Sequence, residues 1–390
     1  MSNSECTLIT STDQLAAFCA RQKGADFITV DTEFMRERTF WPKLCLVQIG
    51  GAKEAVAVDP LAEGIDLSPL FALMDDASIL KVFHAARQDV EIFYNLTGRI
   101  PTPMFDTQVA AMVCGYGEAV SYETLATLLA GAKIDKSSRF TDWAARPLSD
   151  KQLTYALGDV THLRDVYLKL KANLEKSRRA AWVQEEMAFL TSPATYSVQP
   201  LEAWHRLKLR TDKPRLCAIA QELAAWREGE AQRINVPRSR VLRDEALLEI
   251  IHHPPQNAHE LARIRGLNSG FAESRQGAEI LKAVATANAR PLDDCPKTQE
   301  RRHVPSGIGP VIDLLKVLLK QVSEEHGVAA KLIATTDDLE DIAINDKADV
   351  PSLHGWRLDL FGTLALALKR GELVLGLKGK KVVVTRVASA

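Results

Sequence analysis

Apart from the tail, strand-forming sequence lies at the front of this chain. Short apolar runs rich in branched and aromatic side chains, each bounded by polar residues, occur at 27–30, 43–50, 54–59 and 79–84, and no comparable run occurs in the helical stretches after residue 200. Runs of this kind read as buried strands. Any large sheet must therefore be built early, and the later chain must bury its apolar residues through helices. The turn Gly50-Gly51-Ala52-Lys53 is short enough to make its two flanking strands antiparallel. Ser11 and Gln14 form a capping box for a helix ahead of the first run. Helical spacing appears over 68–74 and again over 85–96, where Gly98 supplies a stop. Strands that pair early and then alternate with helices imply an α/β domain with a mixed sheet.

Two further helical patterns lie near 106–113 and 122–129. A loop over 135–147 interleaves cations with aromatics, and Ser149 with Gln152 opens another helix, expected to reach about residue 173, with a second helical stretch over 177–190. The segment 191–200 carries Pro193 and Pro200 and no periodicity, which marks a domain boundary. Helical patterns follow at 246–251, 258–264 and 280–284, then a break from Arg290 to Pro310, then patterns at 312–322, 331–333, 337–342 and 356–368. The expected division is 1–195, 203–290 and 305–375, the last two being small all-α domains. The tail from Lys378 to Thr385 reads either as a basic extension or as a terminal strand.

At 390 residues the chain exceeds one ordinary core. Its formal charge of −1 identifies no partner, and it does not exclude nucleic acid, since an acidic site and basic surfaces cancel in the sum. Six cysteines without a C-x-x-C pair read as reduced thiols of a cytoplasmic protein. The first residues lack a basic region followed by an apolar one, so no signal peptide is expected. No apolar run approaches the roughly 18 residues of a membrane span.

Asp31 and Glu33 end the first strand run two residues apart, so they share one face. Unpaired, two such carboxylates repel and one stays protonated, whereas a hard divalent cation removes the conflict. Two more acids sit on suitable elements. Asp89 lies in the first turn of the helix after 79–84. Asp159 lies one helical turn beyond Tyr155, at the edge of the face marked by Leu153, Ala156, Val160 and Leu163, where an acid needs a partner or a metal.

This ordered set resembles the DEDD exonuclease superfamily, in the branch with a tyrosine four residues before the last aspartate. Val30-Asp31-Thr32-Glu33-Phe34, Thr39-Phe40-Trp41-Pro42-Lys43, Phe105-Asp106-Thr107 and Trp143-Ala144-Ala145-Arg146-Pro147 carry the likeness through about residues 5–190. Asn235-Val236-Pro237-Arg238-Ser239-Arg240-Val241 is similar to the HRDC domain, and 305–375 resembles a divergent second copy. The resemblance implies a ribonuclease H-like α/β exonuclease domain followed by two small all-α HRDC-like domains.

It further implies 3′–5′ exoribonuclease activity on single-stranded 3′ ends, notably those of tRNA precursors, with release of nucleoside 5′-monophosphates. Two Mg²⁺ or Mn²⁺ ions about 3.5–4 Å apart would serve hydrolysis. Asp31 would bridge them, Glu33 and Asp159 would complete the site of the attacking water, Asp89 would serve the second ion, and Tyr155 would orient the water. Phe34, Met35, His84, Arg139, Trp143 and Arg146 are candidate RNA contacts, and Arg238, Arg240 and Arg243 a candidate phosphate patch. A monomer is expected. Two alternatives stay open, a DNA-directed 3′–5′ exonuclease and a catalytically silent RNA-binding protein.

Overall fold

The computed structural model describes residues 7–135, 138, 141–197, 199–297 and 305–387. Elements β1 (Thr7–Ile9), α1 (Thr12–Gln22), β2 (Phe27–Met35), β3 (Lys43–Gly50), β4 (Ala55–Val58), α2 (Ser68–Asp75), β5 (Leu80–Phe83), α3 (Arg87–Thr97) and β6 (Met104–Asp106) build the α/β part. Six strands form one mixed sheet in the order β1-β4-β3-β2-β5-β6. β3 and β4 are antiparallel, as their short turn requires, while β1–β4, β2–β5 and β5–β6 are parallel pairs. β3 is buried at every position after Lys43, so its continuous apolar run reflects cover on both faces.

Helices α4 (Thr107–Val113), α5 (Tyr122–Leu125), α6 (Asp150–Ser177) and α7 (Ala180–Leu190) complete this part. The capping box of Ser149 and Gln152 is present, and α6 continues past the expected end at 173 because Leu174 extends its buried face. Arg178 closes it in a left-handed conformation, with φ of 58°.

By contact, the chain separates into two compact units. One gathers Met1–Glu33, Cys45–Thr195 and His303–Ala390; the other gathers Phe34–Leu44 and Tyr196–Arg302. In the second unit, α8 (Pro214–Arg233), α9 (Arg238–Val241), α10 (Asp244–His252), α11 (Ala258–Leu261), α12 (Ser269–Ala272) and α13 (Arg275–Ala289) enclose a core centred on Ile219, Leu223, Leu247 and Ile280. The segment 34–44 belongs to this unit through Phe40, which is buried with Ala231 and Val241. Asn235 Oδ1 accepts from the amides of both Phe40 and Trp41, at 3.1 and 3.0 Å.

The last block contains α14 (Gly309–His326), α15 (Ala330–Ile333), α16 (Thr336–Ile344), α17 (Gly355–Arg357) and α18 (Thr363–Lys369). It departs from the all-helical expectation in its final residues. β7 (Leu373–Lys378) and β8 (Lys381–Arg386) form an antiparallel hairpin, so the tail is a strand rather than a basic extension. Its β-branched run Val382-Val383-Val384 favours that state, and Leu375 and Val384 pack on the block's core.

This block joins the α/β part through specific contacts. Trp182 of α7 stacks on Trp356 with centroids 4.3 Å apart, flanked by the guanidinium groups of Arg179 and Arg357. Arg357 pairs with Glu185 and Glu186, and the amide of Ala329 donates to the Met112 carbonyl. Cys19, Cys45, Cys114, Cys217 and Cys295 are free thiols. No helix among the described residues is long and apolar enough to cross a membrane.

Candidate metal centre and active site

Alternation along β2 puts Thr29, Asp31 and Glu33 on the side of the sheet met by α6. There Asp159 joins the two acids, and one carboxylate oxygen from each of Asp31, Glu33 and Asp159 lies within 4.8 Å of the other two. Thr32, between the acids, points the opposite way, and its hydroxyl donates to Asp89 Oδ1. Asp89 thus reaches the strand end from α3 and flanks the triad without belonging to it.

The electrostatics match crowded acids without a counter-charge. Burial pushes the Asp31 carboxyl up to about 7. Asp89 is raised well above the usual aspartate range by burial first and then by Asp31, against the opposing bond from Thr32. Ionising them together therefore needs added positive charge. The donor set is oxygen only, which suits hard divalent cations rather than zinc. The residues present fit such an ion.

Tyr155 lies one turn before Asp159 and hydrogen-bonds to it. Burial, then the charges of Asp159, Glu33 and Asp31, hold its phenol above the ordinary tyrosine range. It remains protonated at neutral pH and can donate a hydrogen bond. His84 Nδ1 lies 3.0 Å from Thr107 Oγ1, and burial keeps the ring below the ordinary histidine value despite nearby Asp106, so it is neutral at pH 7.

The other expected RNA contacts fare differently. Phe34 and Met35 follow Glu33 on β2 and are half-buried. Trp143 is 2% exposed, with its ring 6.1 Å from that of Tyr155, so it is packed behind the tyrosine rather than presented to a base. Arg146 is committed to Asp59 and to the carbonyls of Cys45, Trp143 and Ala145, which makes it a brace of the loop. Arg139 lies outside the described residues. In the candidate patch, Arg238 is paired with the buried Glu228 and stacked on Phe40, whereas Arg240 and Arg243 are exposed.

Sequence reasoning missed several residues around the acids. Asp106 accepts from the amides of Ala85 and Ala86 and caps α4 through Gln108, tying down the turn that leads into α3. The positive φ of Ala85, 57°, marks that turn as a position L-residues rarely adopt. Thr29, Thr32 and Tyr122 also touch the ligand-bearing elements, and none of them has a sequence signature.

A model of the 3′–5′ exonuclease family matches residues 6–175, and one of the HRDC domain matches residues 218–284. The chain is 51% identical over 379 residues to ribonuclease D of Granulibacter bethesdensis, covering 96% of this chain and 95% of that one. It is 53% identical over 376 residues to ribonuclease D of Nitrobacter hamburgensis, covering 96% and 98%. The chain belongs to the ribonuclease D family. Among solved structures, Escherichia coli RNase D, described as an exoribonuclease involved in structured RNA processing, superimposes with a TM-score of 0.80 at 30% identity, covering 94% of this chain and 99% of that one. As a member of this family, the chain is a 3′–5′ exoribonuclease of a metal-dependent superfamily, and the family typically acts in tRNA processing.

Proposed function

We propose that the chain removes nucleotides one at a time from single-stranded RNA 3′ ends, tRNA precursors among them, as a cytoplasmic monomer, releasing 5′-monophosphates with two Mg²⁺ or Mn²⁺ ions. The observation that carries the site assignment is the triad of carboxylate oxygens within 4.8 Å at the end of β2. Asp31, Glu33 and Asp159 would hold one ion and Asp31 with Asp89 the other. When bound, such ions neutralise charge on the scissile phosphate and lower the pKa of the attacking water. Tyr155, kept protonated beside Asp159, orients that water through its hydroxyl rather than removing its proton. Phe34 and Met35 are the proposed stacking surface for the terminal nucleotides, and neutral His84 offers a hydrogen bond rather than a charge. The exposed Arg240 and Arg243 serve the RNA backbone.

The layout 1–195, 203–290 and 305–375 completes this reading, with the last block as a divergent HRDC-like copy. A constant offset supports it: adding 92 to the residue numbers carries Arg238–Val241 onto Ala330–Ile333 and Asp244–His252 onto Thr336–Ile344.

Matched RNA and DNA single strands, digested with Mg²⁺ or Mn²⁺ and followed from a 5′ label, test the proposal. RNA should shorten by single nucleotides from its 3′ end. Asp31→Asn should abolish that activity without loss of fold, and Tyr155→Phe should lower kcat far more than it raises KM. Preference for DNA, or full activity of Asp31→Asn, would refute it.

A further inference from the structure

The carbonyls on either side of Asp159 are each held by a side-chain hydroxyl from another element. Tyr122 Oη, from α5, donates to the Gly158 carbonyl at 2.8 Å. Thr29 Oγ1, from β2, donates to the Val160 carbonyl at 2.7 Å and lies 3.3 Å from the Gly50 carbonyl. A carbonyl has two lone pairs, so each can accept such a bond beside its helical one.

The geometry around this pair leaves little slack. Thr29 is fully buried, and a Cβ on Gly50 would come within 2.3 Å of its hydroxyl and 3.0 Å of the Val160 carbonyl, so β3 fits this contact only with glycine there. Arg164, one turn further along α6, lies 4.2 Å from the centre of the Phe27 ring and donates to the Gly50 carbonyl at 3.2 Å. The Tyr122 ring packs on the cluster of Phe27, Val82, Leu163 and Tyr167 and sits 5.7 Å from the His84 ring. Neither hydroxyl touches a carboxylate oxygen in these contacts. Both act on the backbone that carries one.

We propose that Thr29 and Tyr122 form a hydroxyl clamp that fixes Asp159 against Asp31 and Glu33, making them positioning residues for the third carboxylate. The inference rests on the metal-dependent reading of the triad. Thr29 ties the two ligand-bearing elements directly: it precedes Asp31 by two residues on the same strand face, and it grips the carbonyl of Val160, the residue after Asp159. Tyr122 holds the peptide before it, so the turn bearing the ligand is anchored at both ends. Ligand oxygens must be placed to within a few tenths of an ångström, roughly 0.2 Å, to coordinate an ion well. Residues that orient ligands without touching the metal typically change its affinity by about 10- to 100-fold.

The test uses the full chain with Thr29→Val, Tyr122→Phe and Thr29→Ser, with Mn²⁺ binding measured by titration calorimetry and hydrolysis measured on an RNA oligonucleotide. Thr29→Val and Tyr122→Phe should each weaken Mn²⁺ binding about tenfold and lower kcat, with KM for RNA unchanged. Thr29→Ser, which keeps the hydroxyl, should restore both. Parent-like Mn²⁺ affinity in both variants, with only a lower melting temperature, would overturn the clamp and leave a purely structural role. Absence of Mn²⁺ binding by the parent chain itself would instead remove the metal-dependent reading, and the clamp with it. Should Thr29→Val not fold, Tyr122→Phe decides alone, since it removes one oxygen and keeps the packed ring.

Discussion

At the residue scale, the acids carry an energetic conflict with a measurable pH signature. Burial lifts Asp31 from near 3.8 to about 7, and Asp89 is raised by burial and by Asp31. Between those values the native chain holds protons that the unfolded chain has released, so stability of the metal-free protein falls as pH rises through that window. Cation binding needs the ionised forms, so its stabilising effect grows with pH over the same range. The metal-free protein should therefore lose melting temperature between pH 5 and pH 8, and the gain from excess Mn²⁺ should be larger at pH 8. Asp31→Asn should flatten both trends in a thermal-shift series; an unchanged slope would count against the assignment. The acids themselves were legible because a strand repeats every two residues and a helix every three or four. Thr29 and Tyr122 were not, because their partners lie 131 and 36 residues away and a hydroxyl-to-backbone contact leaves no spacing in the sequence.

At the scale of elements, the clearest readings were those where local chemistry decides. The turn at Gly50 made β3 and β4 antiparallel, and the Ser149 capping box started α6 where it was expected. The hairpin of β7 and β8 was ambiguous because Leu375 and Val384 pack on the core beneath it, and a short lysine-rich stretch does not reveal that cover. In loop 135–147, interleaved Arg and Trp suggest a nucleic-acid surface, while Arg146 pairs with Asp59 and the Trp143 ring lies near that of Tyr155, contacts that no local spacing reveals. Gly50→Ala tests how tightly α6 sits on the sheet. Its Cβ would collide with Thr29 Oγ1 and the Val160 carbonyl, so it should cost about 1–3 kcal/mol in urea unfolding and lower nuclease activity. A neutral result would mean α6 can shift freely.

At the scale of the whole molecule, the two helical blocks share a helix rhythm but differ in chemistry. Where the first has Arg238, Arg240 and Arg243, the offset of 92 places Ala330, Leu332 and Thr335 in the second. The second block instead belongs to the nuclease unit, through the Trp182–Trp356 stack and the Arg357 ion pairs. A chain ended after Thr195 should accordingly expose Trp182 and self-associate in sedimentation velocity, whereas the full chain stays monodisperse; a monodisperse, active fragment would show that the block is dispensable. The same discontinuity has a consequence during synthesis. About a hundred residues of the other unit separate Thr195 from the block that covers α7, which at ribosomal speed is a delay of roughly 5–20 seconds. For that interval the α7 face bearing Trp182 must remain uncovered without sticking to its neighbours, so the tightest constraint on this enzyme's production falls before its last quarter has been translated.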